Sequence, residues 1–197
     1  MKKLLLLGLA FIYGITVFAQ TSNITANIGA IGILKTTAGD GMLPANDIVQ
    51  NIALSKDLSI FYNFIKSSNL IETYKSKGPI TIFAPANQAF EALPTDIVDS
   101  LAKPNHVWEL TGILTYHAIA GKLKAKDIEK QINGHKGLAT FTTLGGSKLT
   151  AKIDSNRNIV LEDDNGGKSI INRFDVEQSN GMLHIVNRVL MPKVKSI

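Results

Sequence analysis

Apolar side chains in the first half of the chain recur at the spacing of amphipathic helices. Between residues 44 and 74 they fall close to positions i, i+3, i+4 and i+7. The members of this pattern are Ile48, Ile52, Leu58, Phe61, Phe64, Ile65 and Ile71. It predicts two helices, over 47–54 and 56–67, and a further helical turn near Ile71. We expect Asn46 and Ser55 to be N-caps, because each side-chain oxygen can accept a hydrogen bond from a free backbone N–H.

A short β-branched stretch then interrupts the helical pattern. Residues 80–84, with the sequence ITIFA, follow a Gly-Pro pair and predict a buried strand. Asn87 is expected to cap a short helix that ends near Leu93. Pro94 precedes a helix that is predicted over 95–101, because proline is well tolerated in the first turn of a helix.

Another helix is predicted to begin at Pro104. Its buried face is expected to contain Val107, Leu110, Thr111 and Leu114. Trp108 lies inside the same pattern and is expected to be a core residue. Residues 127–132 predict one more helix.

The apolar period changes from helical to two residues after position 139. This alternation predicts strands over 140–144, 148–153, 158–161, 168–174 and 182–190. Turns rich in glycine, serine or asparagine separate the first four of them, at 145–146, 155–156 and 165–167. Helices followed by strands predict an α+β fold in which the helices cover one side of a mostly antiparallel sheet system.

The first 19 residues have the pattern of a cleaved export signal. Lys2 and Lys3 precede an apolar run over 4–18, and small residues stand at the two positions that signal peptidase reads. A transmembrane anchor is the alternative, but about fifteen apolar residues are too few for a hydrocarbon core that needs ~20. The mostly small and polar residues 20–43 are interpreted as a linker, with at most a loosely attached strand over 31–34.

Composition narrows the class of protein. The 197-residue chain is 45% hydrophobic and has no cysteine, which indicates a packed core without disulfides and excludes a thiol nucleophile. Removal of Lys2 and Lys3 would lower the formal net charge from +5 to about +3, and no basic stripe that suggests nucleic-acid binding remains. An exported domain without cysteine favours the periplasm or a bacterial surface over an animal extracellular matrix.

The stretch TIFAPANQAF, which begins at Thr81, is the most distinctive motif. It combines a strand, a proline that ends strand pairing and a helix that turns Phe90 back into the core. This stretch resembles the first signature of the fasciclin-like domain family, and the matching residues are Thr81, Phe83, Pro85, Asn87 and Phe90.

Two later motifs support the same resemblance. Residues 114–117 are similar to the central tyrosine-histidine motif of the family. Residues 180–192 are similar to its closing signature, in which Asn180, Gly181 and His184 match. The three motifs occur in the family's order and spacing, so one fasciclin-like domain is expected over 44–194, after a signal peptide over 1–19 and a linker over 20–43.

The resemblance implies both a fold and a function. The implied fold is a fasciclin-like wedge, a mostly antiparallel β-sandwich with a cluster of helices packed on one side. The implied function is cell adhesion and matrix or biofilm attachment without catalysis. In animal relatives, adhesion through integrins is attributed to two segments that match Asp175, Val176, Tyr116 and His117 here. The alternative is that these residues only pack: Val176 alternates with Phe174 along a strand, and a tyrosine beside a histidine is often a core pair.

Other candidate chemistry is weak. The four histidines, at 106, 117, 135 and 184, show no metal-binding spacing, so neither a metal nor a cofactor is expected. No Gly-x-Ser-x-Gly is present, and the paired glycines lie between strands rather than before a helix, so no catalytic residue is predicted. The acidic residues 162–164 are either a weak calcium site or a solvated hairpin end, and their spacing favours the hairpin.

Two functional classes therefore remain open. One is a secreted or envelope-associated binding module that contacts an extracellular or cell-surface protein, or a polysaccharide. The other is an extracytoplasmic small-ligand carrier or hydrolase with a pocket between helices and sheet. The aromatic content of 7% favours protein contact over a sugar site. We expect the mature chain to be periplasmic, at the cell surface or secreted, with no nucleic-acid partner and no transmembrane segment; the sequence leaves its oligomeric state open.

Overall fold

The computed structural model describes residues 41–76 and 78–193. The expected signal peptide, most of the expected linker and the expected strand over 31–34 lie outside these residues. The α-helices are α1 (Ile48–Leu54), α2 (Ser59–Ser67), α3 (Ile71–Ser76), α4 (Asn87–Glu91), α5 (Thr95–Leu101), α6 (Val107–Tyr116) and α7 (Ala125–Gly134). Short 3₁₀ turns, Lys56–Leu58 and Pro104–His106, precede α2 and α6.

The strands form one sheet that nearly closes on itself. They are β1 (Ile80–Pro85), β2 (Ala118–Ala120), β3 (Ala139–Thr142), β4 (Lys148–Ile153), β5 (Ile159–Glu162), β6 (Lys168–Gln178) and β7 (Gly181–Val186). Their order is β2-β1-β7-β6-β5-β4-β3, and only β1 and β7 pair in parallel. An isolated bridge between Ile119 and Thr143 joins the two ends. The α+β fold class is confirmed, and the two layers expected of a sandwich belong to one continuous sheet.

The central strands β1 and β7 are buried along their whole length. Alternate residues of β1 enter different hydrophobic clusters: Ile80 and Ile82 belong to one, and Phe83 belongs to the other. The first cluster also collects the apolar faces of α1 to α6, and the second collects sheet residues and Ile128 and Ile132 of α7. A strand that is buried on both faces has mostly apolar residues at consecutive positions, as residues 80–84 do.

Two strands differ from prediction by four residues at their C-terminal ends. The strand predicted over 168–174 continues to Gln178, because register shifts near Arg173 break the alternation on which the prediction depends. The strand predicted over 182–190 ends at Val186, and the Leu190 N–H donates to the His117 side chain instead. The sequence does not predict β2, since three residues are too few to show a period of two.

The predicted caps of the first two helices are wrong. Asp47 caps α1 in a reciprocal capping box: its Oδ1 accepts from the Gln50 N–H at 2.7 Å, and Gln50 Oε1 accepts from the Asp47 N–H at 2.9 Å. Asn46 is one residue too early and donates to Asn51 Oδ1 at 3.1 Å. Ser55 makes no cap bond, and its buried hydroxyl has no hydrogen-bond partner among the described residues.

Trp108 is 84% exposed, so its expected place in the core is wrong. Helix α6 buries Leu110, Ile113 and Leu114. At 3.6 residues per turn, position 108 lies about 200° around the helix from position 110 and points away from the core. Helical periodicity, applied strictly, would have placed this side chain outside.

Candidate functional site

Asn87 of the first signature supports a helix other than its own. Helix α4 has Ala86 as its N-cap residue and no side-chain cap, so the predicted capping role of Asn87 in α4 is wrong. Its Oδ1 accepts from the Ile60 N–H at 3.0 Å, and its Nδ2 donates to Lys56 O at 2.9 Å and Ser59 Oγ at 3.0 Å. Asn87 therefore caps the N-terminus of α2, which makes no side-chain cap bond of its own.

Asn180 of the closing signature has a matching role. Its Oδ1 accepts from the Ile48 N–H, at the start of α1, at 3.0 Å. Its Nδ2 donates to the carbonyls of Tyr74 and Lys75 in α3, at 2.9 and 3.2 Å. One amide thus satisfies a free donor of one helix and free acceptors of another. Both signature asparagines hold the helical layer together.

Thr81 and His184 fasten the loop before α7 to the central strands. Thr81 Oγ1 donates to Gly121 O at 2.6 Å and accepts from the Leu123 N–H at 2.9 Å. His184 is fully buried, stacks on Phe83 with ring centroids 5.6 Å apart, and donates from Nε2 to Leu123 O at 2.9 Å. Burial lowers the pKa of His184, so the neutral ring leaves Nδ1 free to accept a hydrogen bond.

The remaining signature residues also pack inside the domain. Pro85 ends β1 opposite Val186 of β7, and Phe90 packs edge-on against Phe64 with ring centroids 5.3 Å apart. Gly181 is required by close approach, because a Cβ atom at this position would lie 2.0 Å from the Ile80 carbonyl oxygen. These positions fix the fold and present no side chain to a partner.

Tyr116 and His117 are buried and each has its own hydrogen bonds. The Tyr116 hydroxyl donates to Lys148 O at 2.7 Å and accepts from the Asp164 N–H at 3.2 Å. Burial, the largest cause, raises the pKa of Tyr116 to about 12, so the hydroxyl keeps the proton that it donates. His117 is fully buried and lies 6.4 Å from the Phe61 ring, centroid to centroid.

The two ring nitrogens of His117 join the end of α6 to the C-terminal segment. Nδ1 donates to Ile113 O at 2.8 Å, and Nε2 accepts from the Leu190 N–H at 3.0 Å. Burial is the main reason why the pKa of His117 is lowered to about 4. The ring is therefore neutral at pH 7, which the acceptor role of Nε2 requires.

Asp175 and Val176 lie at the irregularity of β6 and have different surroundings. Val176 is 6% exposed and pairs with Leu183 of β7. Asp175 adopts a left-handed conformation with φ 55°, and its side chain is 40% exposed. Its Oδ1 accepts from the Ala125 N–H, at the start of α7, at 2.7 Å, and its own N–H donates to His184 Nδ1 at 3.3 Å.

The four expected adhesion residues are thus not arranged as one exposed site. Asp175 alone has a substantially exposed side chain; Val176, Tyr116 and His117 are buried. Tyr116 is hydrogen-bonded to the β5–β6 turn, and Asp175 is hydrogen-bonded to the start of α7. The packing interpretation therefore fits three of the four positions. The fourth, Asp175, has a left-handed backbone conformation, which is uncommon for residues other than glycine.

The acidic cluster at 162–164 is a structural turn. Asp163 is 8% exposed, so the expectation of a solvated hairpin end does not hold for this residue. Its Oδ1 accepts from the N–H groups of Asn165 and Gly167 at 2.9 and 2.7 Å, and its Oδ2 accepts from the Met191 N–H at 2.9 Å. These bonds tie the β5–β6 turn to the C-terminal segment.

An apolar groove lies beside Trp108 on the helical side. It encloses about 750 Å³ and is lined by α5, α6, the β3–β4 turn and residues 191–193. We call it the Trp108 groove, and its main apolar lining residues are Ile97, Leu101, Trp108, Ile113, Met191 and Pro192. Glu109 and Lys193 supply charge, and Tyr116 is also part of the lining.

Within 41–76 and 78–193, no three histidine, aspartate or glutamate side chains come together as ligands for a metal ion. None of the helices described in these ranges has the length and apolar character that crossing a membrane requires.

Comparison with known proteins identifies the family. Residues 56–192 match the Fasciclin domain, and this chain belongs to that family. Protein sll1483 of Synechocystis sp. is 32% identical over 148 residues, which is 75% of this chain and 74% of that protein. Human periostin is 28% identical over 141 residues, which is 72% of this chain but 15% of periostin.

A solved structure supports the fold. The FAS1 domain pair of the insect cell adhesion molecule fasciclin I matches with a TM-score of 0.65 and 19% identity, over 78% of this chain. This chain spans 52% of that domain pair. The fasciclin domain is thus known from a cell adhesion protein, and the expected fasciclin-like fold is confirmed.

Proposed function

We propose that this chain is a non-catalytic binding module that attaches to a protein outside the cell, through the Trp108 groove. The observation that carries the proposal is the 84% exposure of Trp108 beside an apolar groove. Tryptophan is enriched among the residues that dominate protein interfaces, because it contributes a large and rigid contact area. The membership of fasciclin I in the same family supports adhesion as the general role.

The distribution of polar groups supports binding rather than catalysis. The histidines and tyrosines with shifted pKa values are His117, His184, Tyr74 and Tyr116, and each is buried with its polar atoms in hydrogen bonds within the domain. A catalytic cleft would instead direct such groups toward a substrate.

The groove also has the usual anatomy of a protein contact. Its apolar lining is accompanied by Glu109 and Lys193, one acidic and one basic group. A hydrophobic centre with polar groups at the rim is typical of specific interfaces. The partner that fits this surface is a protein with an apolar side chain to insert and charged groups of both signs around it.

The export signal predicted over 1–19 supports an extracytoplasmic location for this contact. The proposed setting is the periplasm, the cell surface or the extracellular matrix, including the matrix of a biofilm. Among the four expected adhesion residues, Asp175 is the one with a substantially exposed side chain, and Tyr116 is a buried lining residue of the Trp108 groove.

The proposal is tested with Trp108→Ala and a matched control, Phe174→Ala. Phe174 is an exposed aromatic residue, 41% accessible, outside the Trp108 groove. Proteins that the full exported chain captures from envelope and matrix fractions would be purified, and their affinities measured for all three chains. We expect Trp108→Ala to weaken binding by at least about tenfold and Phe174→Ala to leave it unchanged. Equal affinity of all three chains would contradict the groove as the contact.

A small-ligand carrier is the second candidate function. It is favoured by the groove volume of about 750 Å³, which lies in the range of ligand pockets, roughly 300–1,000 Å³. Trp108 is the only tryptophan of the chain, so its fluorescence reports on the groove directly. Saturable quenching by an apolar probe, with no protein partner captured, would favour the carrier.

A further inference from the structure

We propose that α7 and its flanks form a second binding surface, which recognises a polysaccharide that carries repeated carboxylate groups. Five lysines lie between residues 122 and 136, against two acidic residues. We call them the α7 lysine cluster: Lys122, Lys124, Lys126, Lys130 and Lys136. Their excess of three positive charges equals the net charge expected for the whole mature chain, about +3, so the remaining residues are close to balance.

The fold turns this cluster outward. Helix α7 buries Ile128 and Ile132 against the sheet, which leaves the other side of the helix in solvent. All five lysines are exposed. Lys126 and Lys130 are four residues apart and therefore neighbours on one face, about 6 Å from each other.

The cluster receives little neutralising charge from the domain. Lys122 pairs with Glu177 at 2.7 Å, but the other four lysines form no ion pair within the residues that the structure describes. Asp127 and Glu129 are the two acidic residues of the segment. Asp127 Oδ2 accepts from the Lys124 N–H at 2.9 Å as part of the helix start. The positive charge of the cluster is therefore largely available to a ligand.

The arrangement also opposes the stability of its own helix. Like charges at positions i and i+4 repel each other, as Lys126 and Lys130 do. Lys124 and Lys126 stand at the N-terminal end of α7, where the helix dipole disfavours positive charge. The Asp127 carboxylate in the first turn offsets part of this cost. Local patterns that lower stability are typical of functional positions.

A shallow groove next to the cluster adds groups that can bind sugar hydroxyls. It encloses about 600 Å³, and its lining residues are Lys122, Leu123, Asp127, Lys130, Gln131 and His135. Amide and imidazole groups can donate to hydroxyl and ring oxygens, while the lysines neutralise carboxylates as point charges.

The residue types favour an acidic polysaccharide over nucleic acid. Residues 122–136 include no arginine, which is the usual reader of phosphate and guanine by bidentate bonds. They also include no phenylalanine, tyrosine or tryptophan, on which the bases of a single strand would stack. Neutral sugars lack the negative charge that would pair with five lysines, which favours a polyuronate among polysaccharides.

The surface is separate from the Trp108 groove, and this inference stands or falls independently of the proposed function. None of the lysines of the cluster lines that groove. Trp108→Ala should therefore bind a polyuronate as the wild type does, and loss of this binding in Trp108→Ala would contradict two separate surfaces.

The test measures binding of the full exported chain to linear polygalacturonate by calorimetry. The double variant Lys126→Gln/Lys130→Gln is compared with Lys56→Gln/Lys66→Gln, which removes the same charge from exposed positions on the helical side. We expect at least about tenfold weaker binding for the first pair only, and a steep loss of wild-type affinity between ~50 and ~200 mM salt. Thermal unfolding should show the α7 double variant to be as stable as the wild type or more so, because repulsion is removed.

Three results would overturn the inference. The first is no wild-type binding at ~50 mM salt. The second is equal weakening by the two double variants, which would indicate attraction to net charge alone. The third is tighter binding of duplex DNA than of polygalacturonate under the same conditions, which would assign the surface to nucleic acid.

Discussion

Signature residues in the interior and exposed residues on the helices differ in whether their side chains form hydrogen bonds within the domain. Asn180 and His117 use both of their side-chain polar positions in hydrogen bonds that join distant segments. Trp108, Lys126 and Lys130 make no side-chain hydrogen bond or ion pair among the described residues. Substitutions in the interior should therefore change the free energy of unfolding, whereas substitutions on the exposed faces should change binding at nearly constant stability.

The largest effect is expected for Gly181→Ala. The new Cβ would lie 2.0 Å from Ile80 O and 2.8 Å from Ile48 Cδ1, so the parallel pairing of β1 and β7 would have to open. We expect a loss of more than about 4 kcal/mol, measured by urea denaturation. Gly112→Ala is the matched control, because nothing lies within 4 Å of its Cβ position and alanine is the better helix former. Equal stability of the two variants would contradict the close-approach argument.

His117→Ala should have the next largest effect and should also change the pH dependence. Removal of the ring leaves the Leu190 N–H without its acceptor and opens a cavity, for a cost of about 2–3 kcal/mol at pH 7. The folded pKa of about 4 lies below the unfolded value of about 6.5, so the unfolded state binds more protons between these values. Wild-type stability is complete above pH 6.5 and decreases as the pH falls toward 4.

The pH dependence of the unfolding free energy distinguishes the effect of His117 protonation from the loss of packing alone. Unfolding free energies of both chains, measured between pH 7 and pH 4, should decrease more steeply for the wild type, by up to about 3 kcal/mol over the interval. His184 contributes in the same direction in both chains, since burial lowers its pKa as well. Parallel profiles would mean that His117 is not the titrating group.

Asn180→Ala and Asn87→Ala should have intermediate effects. Asn180 serves two helix ends and Asn87 serves one, so we expect losses of about 2 and about 1 kcal/mol. Asn180→Asp keeps an acceptor for the Ile48 N–H but places a carboxylate oxygen against the Tyr74 and Lys75 carbonyls, so it should be at least as destabilising as Asn180→Ala. Hydrogen exchange in α1 and α2 should show which helix is loosened; faster exchange in α4 after Asn87→Ala would restore the capping role that the sequence predicted.

The smallest effect on stability is expected for Trp108→Ala. A side chain that is 84% exposed contributes little to the core, so the change should remain within about 0.5 kcal/mol. Circular dichroism is the suitable measurement, because the substitution removes the only tryptophan. A large loss of stability would move Trp108 from the binding face to the interior.

Local patterns in the sequence were sufficient for most elements. The helix over 95–101 and the strand over 148–153 have the predicted bounds, because short-range periodicity and a proline mark them. In each case the information lies within a few residues of the element itself.

Features that depend on distant partners could not be obtained in this way. The amide of Asn87 acts on a helix that begins 28 residues earlier, and Asn180 acts on the start of α1, 132 residues away. The near-neutral charge of the whole chain did not indicate the α7 lysine cluster, and only the burial of Ile128 and Ile132 shows that Lys126 and Lys130 face solvent. Prediction from the sequence was therefore limited by the long separation between interacting residues and not by weak secondary-structure propensity.

The bridge between Ile119 and Thr143 has a consequence for how this protein behaves at high local concentration. It brings the terminal strands β2 and β3 together, and these have three and four residues. Exposed strand edges are templates on which other chains can add a strand, and short or paired edges suppress this. Molecules of this domain can therefore be crowded on a surface with little tendency to polymerise through their sheets, which leaves side-chain faces as the route of contact.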